Sequence, residues 1–222
     1  MFTTRIITSI LLIPLILLVV MPGNCAGESA AAAGNPDKNV ARKKAMEGTS
    51  TTAVATLAGG CFWCVEADFE KVPGVLKVIS GYTGGSQENP TYENYANSGH
   101  IEAVQIMYDP EKVTYQELLE YFWRHVDPTD AGGQFVDRGP QYRSAIFYHE
   151  NEQKRIAEES KAALSRSGRF KKPIVTDILP FSRFYPAEDY HQDYYRTHAT
   201  KYKFYRWNSG RDQFLQEMWG KK

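Results

Sequence analysis

Two cysteines, Cys61 and Cys64, stand three residues apart, with Phe62 and Trp63 between them and Gly59 and Gly60 before them. A thiol reacts as its thiolate, so what surrounds the pair decides its use. Residues i and i+3 at a helix start have Cα atoms roughly 5 Å apart, within reach of a disulfide. The unpaired N–H groups of a helix start favour a thiolate. The sequence therefore predicts a lowered pKa for Cys61, with Cys61 as nucleophile and Cys64 as the thiol that later attacks it. Three readings compete: a redox dithiol, half of a zinc site, and two inert core thiols. Zinc needs two more ligands, yet there is no second C-x-x-C and the five histidines are scattered. The glycine pair, which lets backbone approach a ligand, speaks against inert thiols. A thioredoxin-like exchange protein also places C-x-x-C at a strand-to-helix turn, normally with small residues or proline between the thiols. Phe62 and Trp63 instead offer a floor for an apolar methyl group, or they pack in the core.

The elements around the pair follow from periodicity. Residues 52–57 read as a strand entering the turn, and 62–71 as a helix with Phe62, Val65, Phe69 and Val72 on its buried face. Residues 75–82 alternate like a half-buried strand. A glycine-, asparagine- and serine-rich loop over 83–99 carries Tyr92 and Tyr95. In the next strand, 100–108, Glu102 shares a face with Val104, Ile106 and Tyr108, which makes it a candidate buried carboxyl. Thr114 and Glu117 form a capping box ahead of a helix over 115–126, whose core face is Leu118, Leu119, Phe122 and Val126. A polar loop over 129–142, a strand over 145–148, a charged helix over 150–167 and a strand over 174–179 follow. Beyond lie an aromatic, acidic run and a tail to Lys222 that is aromatic and basic without a clean period. Mixed strands and helices imply an α/β or α+β sandwich with helices against one sheet.

Lysine plus arginine equal aspartate plus glutamate, 26 against 26, so nothing in bulk charge argues for nucleic acid or an anionic membrane. With 14 tyrosines, 11 phenylalanines and 4 tryptophans, either the core or a pocket must be rich in rings. Arg5 precedes an apolar run over 6–20 that Pro22-Gly23-Asn24 breaks, the pattern of an export signal. Residues 1–26 therefore read as a signal peptide or N-terminal anchor, 27–50 as a disordered linker and 51–222 as one folded domain. The expected location is exported, periplasmic or secreted, with membrane attachment through the N-terminus as the alternative. Cys25 would begin a lipidated mature chain, although Asn24 fits poorly the small residue such processing wants. A further reading makes the tail, with Arg196, Lys201, Lys203 and Arg206 among its rings, a binding surface for single-stranded nucleic acid.

Beyond these patterns, the motifs resemble those of the A-type peptide methionine sulfoxide reductases. The resemblance rests on Gly60-Cys61-Phe62-Trp63, Pro73-Gly74-Val75, Ser80-Gly81-Tyr82-Thr83-Gly84-Gly85, Pro90-Thr91-Tyr92, Gly99-His100-Ile101-Glu102-Ala103-Val104 and Tyr108-Asp109-Pro110. It continues in Gln141-Tyr142-Arg143-Ser144 and in the run from Phe184 to Gln192. It implies a single-domain two-layer α/β (α+β) sandwich with ferredoxin-like organisation. Cys61 would attack the sulfoxide sulfur, and Phe62 and Trp63 would hold the S-methyl group. A protonated Glu102 would serve the sulfoxide oxygen, with Tyr92 and Tyr142 as further donors. Asp137 would orient substrate, while His191 would hold the aromatic loop. The implied substrates are the S epimer of methionine sulfoxide, free or in proteins. No cofactor, metal or nucleic acid is implied, and a monomer is expected. Many family members have glycine where Cys64 stands and recycle through C-terminal cysteines. No cysteine follows Cys64 here, so the resemblance implies a Cys61–Cys64 disulfide reopened by thioredoxin or a similar donor.

Overall fold

The computed structural model describes residues 52–220. The signal or anchor expected over 1–26, Cys25 and the linker over 27–50 lie outside the described residues. Among the described residues no helix is long and apolar enough to cross a membrane.

Strand β1 (Ala53–Gly59) runs into helix α1 (Phe62–Phe69), which returns through Pro73-Gly74 to strand β2 (Val75–Thr83). Strand β3 (Ile101–Tyr108), helix α2 (Tyr115–Trp123) and, after a loop, strand β6 (Ser144–Tyr148) complete a βαββαβ unit. Its strands lie in the order β6-β1-β3-β2, each antiparallel to its neighbour. That is the split-βαβ arrangement of a ferredoxin-like core. Strand β7 (Asp177–Pro180) extends one edge parallel to β6, and β8 (Phe184–Pro186) extends the other antiparallel to β2. Helix α3 (Asn151–Arg166) lies between β6 and β7 in sequence, as a parallel crossover requires.

The expected capping box forms: the Glu117 amide donates to Thr114 Oγ1 at 3.2 Å, and the Thr114 amide donates to Glu117 Oε2 at 2.8 Å. Leu118, Leu119, Phe122 and Val126 are fully buried and pack with Leu57, Phe62, Phe69, Val104 and Ile106 in the main core. The other face of β3 buries Ile101 and Ala103 with Ala58, Ala145 and Phe147, under Leu179, Phe181 and Phe184.

Three expectations are corrected. The strand expected over 174–179 begins only at Asp177, because the Val175 amide turns away to the Pro128 carbonyl at 2.8 Å. The loop over 129–142 contains a small hairpin, β4 (Gly133–Gln134) and β5 (Asp137–Arg138). The tail is helical, with α4 (Tyr194–Thr197), α5 (Ala199–Asn208) and α6 (Arg211–Trp219).

Candidate active site

Cys61 is the N-cap of α1, at the turn that Gly60 makes with φ +82°. A side chain at Gly60 would meet Gln134 Cβ at 2.5 Å, so the hairpin abuts the turn directly. Cys64 lies one turn into the helix, fully buried against Cys61, Ala67 and Tyr202. Both thiols are free, and a hydrogen bond joins them.

Glu102 comes from β3, the strand beside β1, and is 2% exposed. Its Oε2 accepts the Phe62 amide at 2.9 Å, which gives α1 a carboxyl cap. Its Oε1 accepts the Tyr95 hydroxyl, also at 2.9 Å. Burial raises its pKa to about 8, against the pull of those two donors toward the carboxylate. Glu102 is therefore mostly protonated at neutral pH. As the sequence implied, the alternation of β3 buries this carboxyl on an apolar face.

The expectation of a lowered Cys61 pKa is wrong for the resting site. Burial is the largest cause of its rise, followed by the hydrogen bond to Cys64 and the charges of Cys64 and Glu102. Cys64 is instead lowered, first by the Cys61 hydrogen bond and then by the charges of Arg211 and Arg206, against its own burial. The two sulfurs titrate as one system. The helix-end field acts on both, but the fold's cations lie on the Cys64 side and its carboxyl on the Cys61 side.

Cys61, Phe62, Trp63, Tyr92, Glu102, Asp137, Tyr142 and Tyr205 line one cavity of about 170 Å³. It is smaller than the ~300–1,000 Å³ pockets that enclose drug-sized ligands, and it suits the end of one side chain. A larger cleft of about 490 Å³, between Arg124, Leu215 and Trp219, contains neither cysteine. Phe62 belongs to the core as well as the cavity: it is 1% exposed and lies 5.9 Å from the Tyr82 ring. Trp63 is fixed on three sides. Its indole N–H donates to His191 Nδ1 at 3.1 Å, its ring stacks on Tyr194 at 3.8 Å and 9°, and Tyr205 meets it edge-on. His191 thus holds the aromatic segment to the site. Asp137 arrives on the hairpin, where its Oδ2 accepts the Tyr205 hydroxyl at 2.5 Å; burial raises its pKa.

The family model for peptide methionine sulfoxide reductase matches residues 53–222. The chain belongs to the peptide methionine sulfoxide reductase family. The reductase is 58% identical over 171 residues to the peptide methionine sulfoxide reductase MsrA of Bacillus licheniformis, covering 76% of this chain and 94% of that protein. The corresponding figures for the MsrA of Bacillus subtilis are 56% over 171 residues, 76% and 97%. Among solved structures, reduced Mxr1 from Saccharomyces cerevisiae superposes with TM-score 0.63 at 30% identity, covering 67% of this chain and 86% of that one. Methionine sulfoxide reductase A of Corynebacterium diphtheriae gives 0.60 at 34%, covering 68% and 77%. The expected enzyme class stands: an oxidoreductase acting on methionine sulfoxide, in the service of protein repair.

Every residue that the reductase motifs nominated for the reacting cavity lines it, while Cys64 lies behind Cys61. Sequence reasoning missed Tyr205, Arg206 and Arg211. Arg211 is 1% exposed and donates to the Gly59 carbonyl at 2.9 Å and the His125 carbonyl at 2.6 Å, pinning the end of β1. Arg206 pairs with Asp68 at 2.9 Å and with Asp212 at 2.8 Å, and Arg196 pairs with Glu70 at 2.8 Å. Of the tail cations offered to nucleic acid, Arg206 is thus committed inside the fold, while Arg196 is paired at the surface. The available signal was the spacing of Tyr202 and Arg206, one helical turn apart, which the surrounding rings obscured.

Proposed function

We propose that the reductase acts on the S epimer of methionine sulfoxide, free or in proteins, with Cys61 as nucleophile, and that a Cys61–Cys64 disulfide is then reopened by thioredoxin or a similar dithiol. The observation that carries this reading is one small cavity in which a thiol, two rings and a neutral carboxyl converge. The rings of Phe62 and Trp63 take the S-methyl group, and the sulfoxide oxygen points toward Glu102, Tyr92 and Tyr142. Oxygen leaves sulfur poorly unless protonated, and a carboxyl of pKa about 8 retains a proton to give. Hydroxyls of Tyr92 and Tyr142 polarise the same oxygen, and Asp137, braced by Tyr205, orients the substrate.

The sulfur of Cys61 attacks the sulfoxide sulfur as Glu102 protonates the oxygen. The thiol proton of Cys61 restores Glu102, so no net proton is consumed. The hydroxylated adduct then collapses: the substrate sulfur loses its bonds to oxygen and to Cys61, the hydroxyl passes to the Cys61 sulfur, methionine leaves reduced by two electrons, and Cys61 is oxidised to a sulfenic acid. Cys64, biased toward thiolate by its neighbours, attacks that sulfur; water leaves and the disulfide forms. A dithiol donor exchanges with this disulfide and leaves oxidised.

The test is a reduction assay on separated sulfoxide epimers, with the disulfide mapped afterwards. The S epimer alone should be reduced, and Cys61→Ser should abolish turnover. Cys64→Ser should yield one equivalent of methionine, trap a sulfenic acid and fail only in recycling. Normal thioredoxin-driven turnover by Cys64→Ser would overturn the recycling scheme. Insulin reduction without sulfoxide activity would favour a thioredoxin-like exchange protein instead.

A further inference from the structure

Behind Glu102, outside the reacting cavity, lies a hydroxyl to which the proposed function gives no task. Tyr95 sits in the short 3-10 turn Tyr95–Ser98 and is 4% exposed. Its ring is held between two others, stacked on Tyr82 at 4.6 Å and 22° and beside Tyr92 at 6.0 Å and 26°. The Tyr95 hydroxyl donates to Glu102 Oε1 at 2.9 Å. Tyr142 lines the cavity and Tyr95 does not.

A count of protons explains the arrangement. The Phe62 amide donates to Glu102 Oε2 and the Tyr95 hydroxyl donates to Oε1. Each carboxyl oxygen keeps a second lone pair. With its two protein-facing sites already accepting, neutral Glu102 carries its own proton toward the cavity that it lines. Without the Tyr95 hydroxyl, nothing fixes Oε1, and the carboxyl can turn its proton away from the cavity.

We propose that Tyr95 is a positioning residue for the reaction: by donating to Oε1 of Glu102 it fixes the carboxyl so that the proton of Glu102 faces the sulfoxide oxygen. The inference rests on the assignment of Glu102 as the group that serves that oxygen. Other groups facing Glu102 also bear on its titration. From α1 they are Cys61 and Cys64; from the hairpin, Asp137; from the cavity wall, Tyr92 and Tyr142; and from β2, Tyr82. All of these remain when only the Tyr95 hydroxyl is removed.

The test is Tyr95→Phe, which retains the ring stack. Methionine release is measured in a single turnover without reductant, in wild type, Tyr95→Phe, Glu102→Gln and the double variant. The carboxylic acid infrared band that Glu102→Gln removes is titrated in wild type and Tyr95→Phe. Tyr95→Phe should slow the single turnover about tenfold, as small misplacements of reacting groups do. It should also raise the Glu102 midpoint by about one pH unit, because a donor to the carboxylate is lost. In the Glu102→Gln background it should add less than about twofold, since the two residues act as one unit. A midpoint that stays put, or losses that multiply in full, would overturn the inference while leaving Glu102 in its role. An undiminished rate in Glu102→Gln would remove the underlying assignment and the inference with it. If Tyr95→Phe does not fold, Tyr95→His, which restores a donor on a ring, takes its place: a rate and midpoint within twofold and half a unit of wild type support the inference, and any larger departure counts against it.

Discussion

Glu102 is useful because it is protonated, and the fold is less stable for keeping it so. Its carboxyl titrates near 4.5 when unfolded and at about 8 in the folded chain. Between those values the folded state holds a proton that the unfolded state has lost, so stability falls as pH rises through that window. Glu102→Gln keeps the acceptor for the Phe62 amide and removes the titration. Urea unfolding should find it more stable than wild type at pH 8, by on the order of 3 kcal/mol relative to their difference at pH 4, alongside a slower single turnover. An unaltered pH slope would mean that Glu102 titrates normally. Glu66 is the control. It is buried under the Asp193 amide, raised to about 7 chiefly by burial, and absent from the cavity. Glu66→Gln should gain stability relative to wild type as pH rises from 4.5 to about 7, and level off above that, without changing the rate of methionine release.

At the scale of elements, the division is between what builds the turn and what covers it. Strand β1, helix α1, the faces of β3 and the capping box of α2 were legible because each is written in a dozen residues or fewer. The helices α4 to α6 were not. Phe204 and Trp207 point to solvent while Tyr202 and Leu215 are buried, so the rings mark no single face. The hairpin that carries Asp137 has two residues per strand, too few for a period. The Cys61 pKa was misjudged for a related reason: the helix end is local, whereas Glu102 and the arginines opposing its influence arrive from far along the chain. Arg211 of α6 shows how much that cover matters. Arg211→Met removes the two hydrogen bonds from the guanidinium to the carbonyls of Gly59 and His125 and should cost about 2–4 kcal/mol in urea unfolding. It should also slow disulfide formation more than sulfoxide reduction, read in one rapid-quench experiment, because its charge favours the Cys64 thiolate.

For the whole molecule, the six-stranded sheet sets the order of local stability. Strands β1 and β3 are paired on both sides and covered by α1 and α2, whereas β8 pairs only with β2, over three residues. Hydrogen exchange should find the slowest amides in β1 and β3, and β8 exchanging well before global unfolding; equal protection across the sheet would contradict this. The contact between Arg211 and Gly59 spans 152 residues. Synthesis runs from the N-terminus, so the segment bearing Cys61 and Cys64 leaves the ribosome long before Tyr202, Tyr205 and Arg211 can close over it. The nascent chain therefore carries two neighbouring thiols with no cover while most of the domain is still being made. Any oxidant the chain meets in that interval can bridge them before the cavity exists, and the finished enzyme would then begin life in its spent form, needing a reductant before its first catalytic cycle.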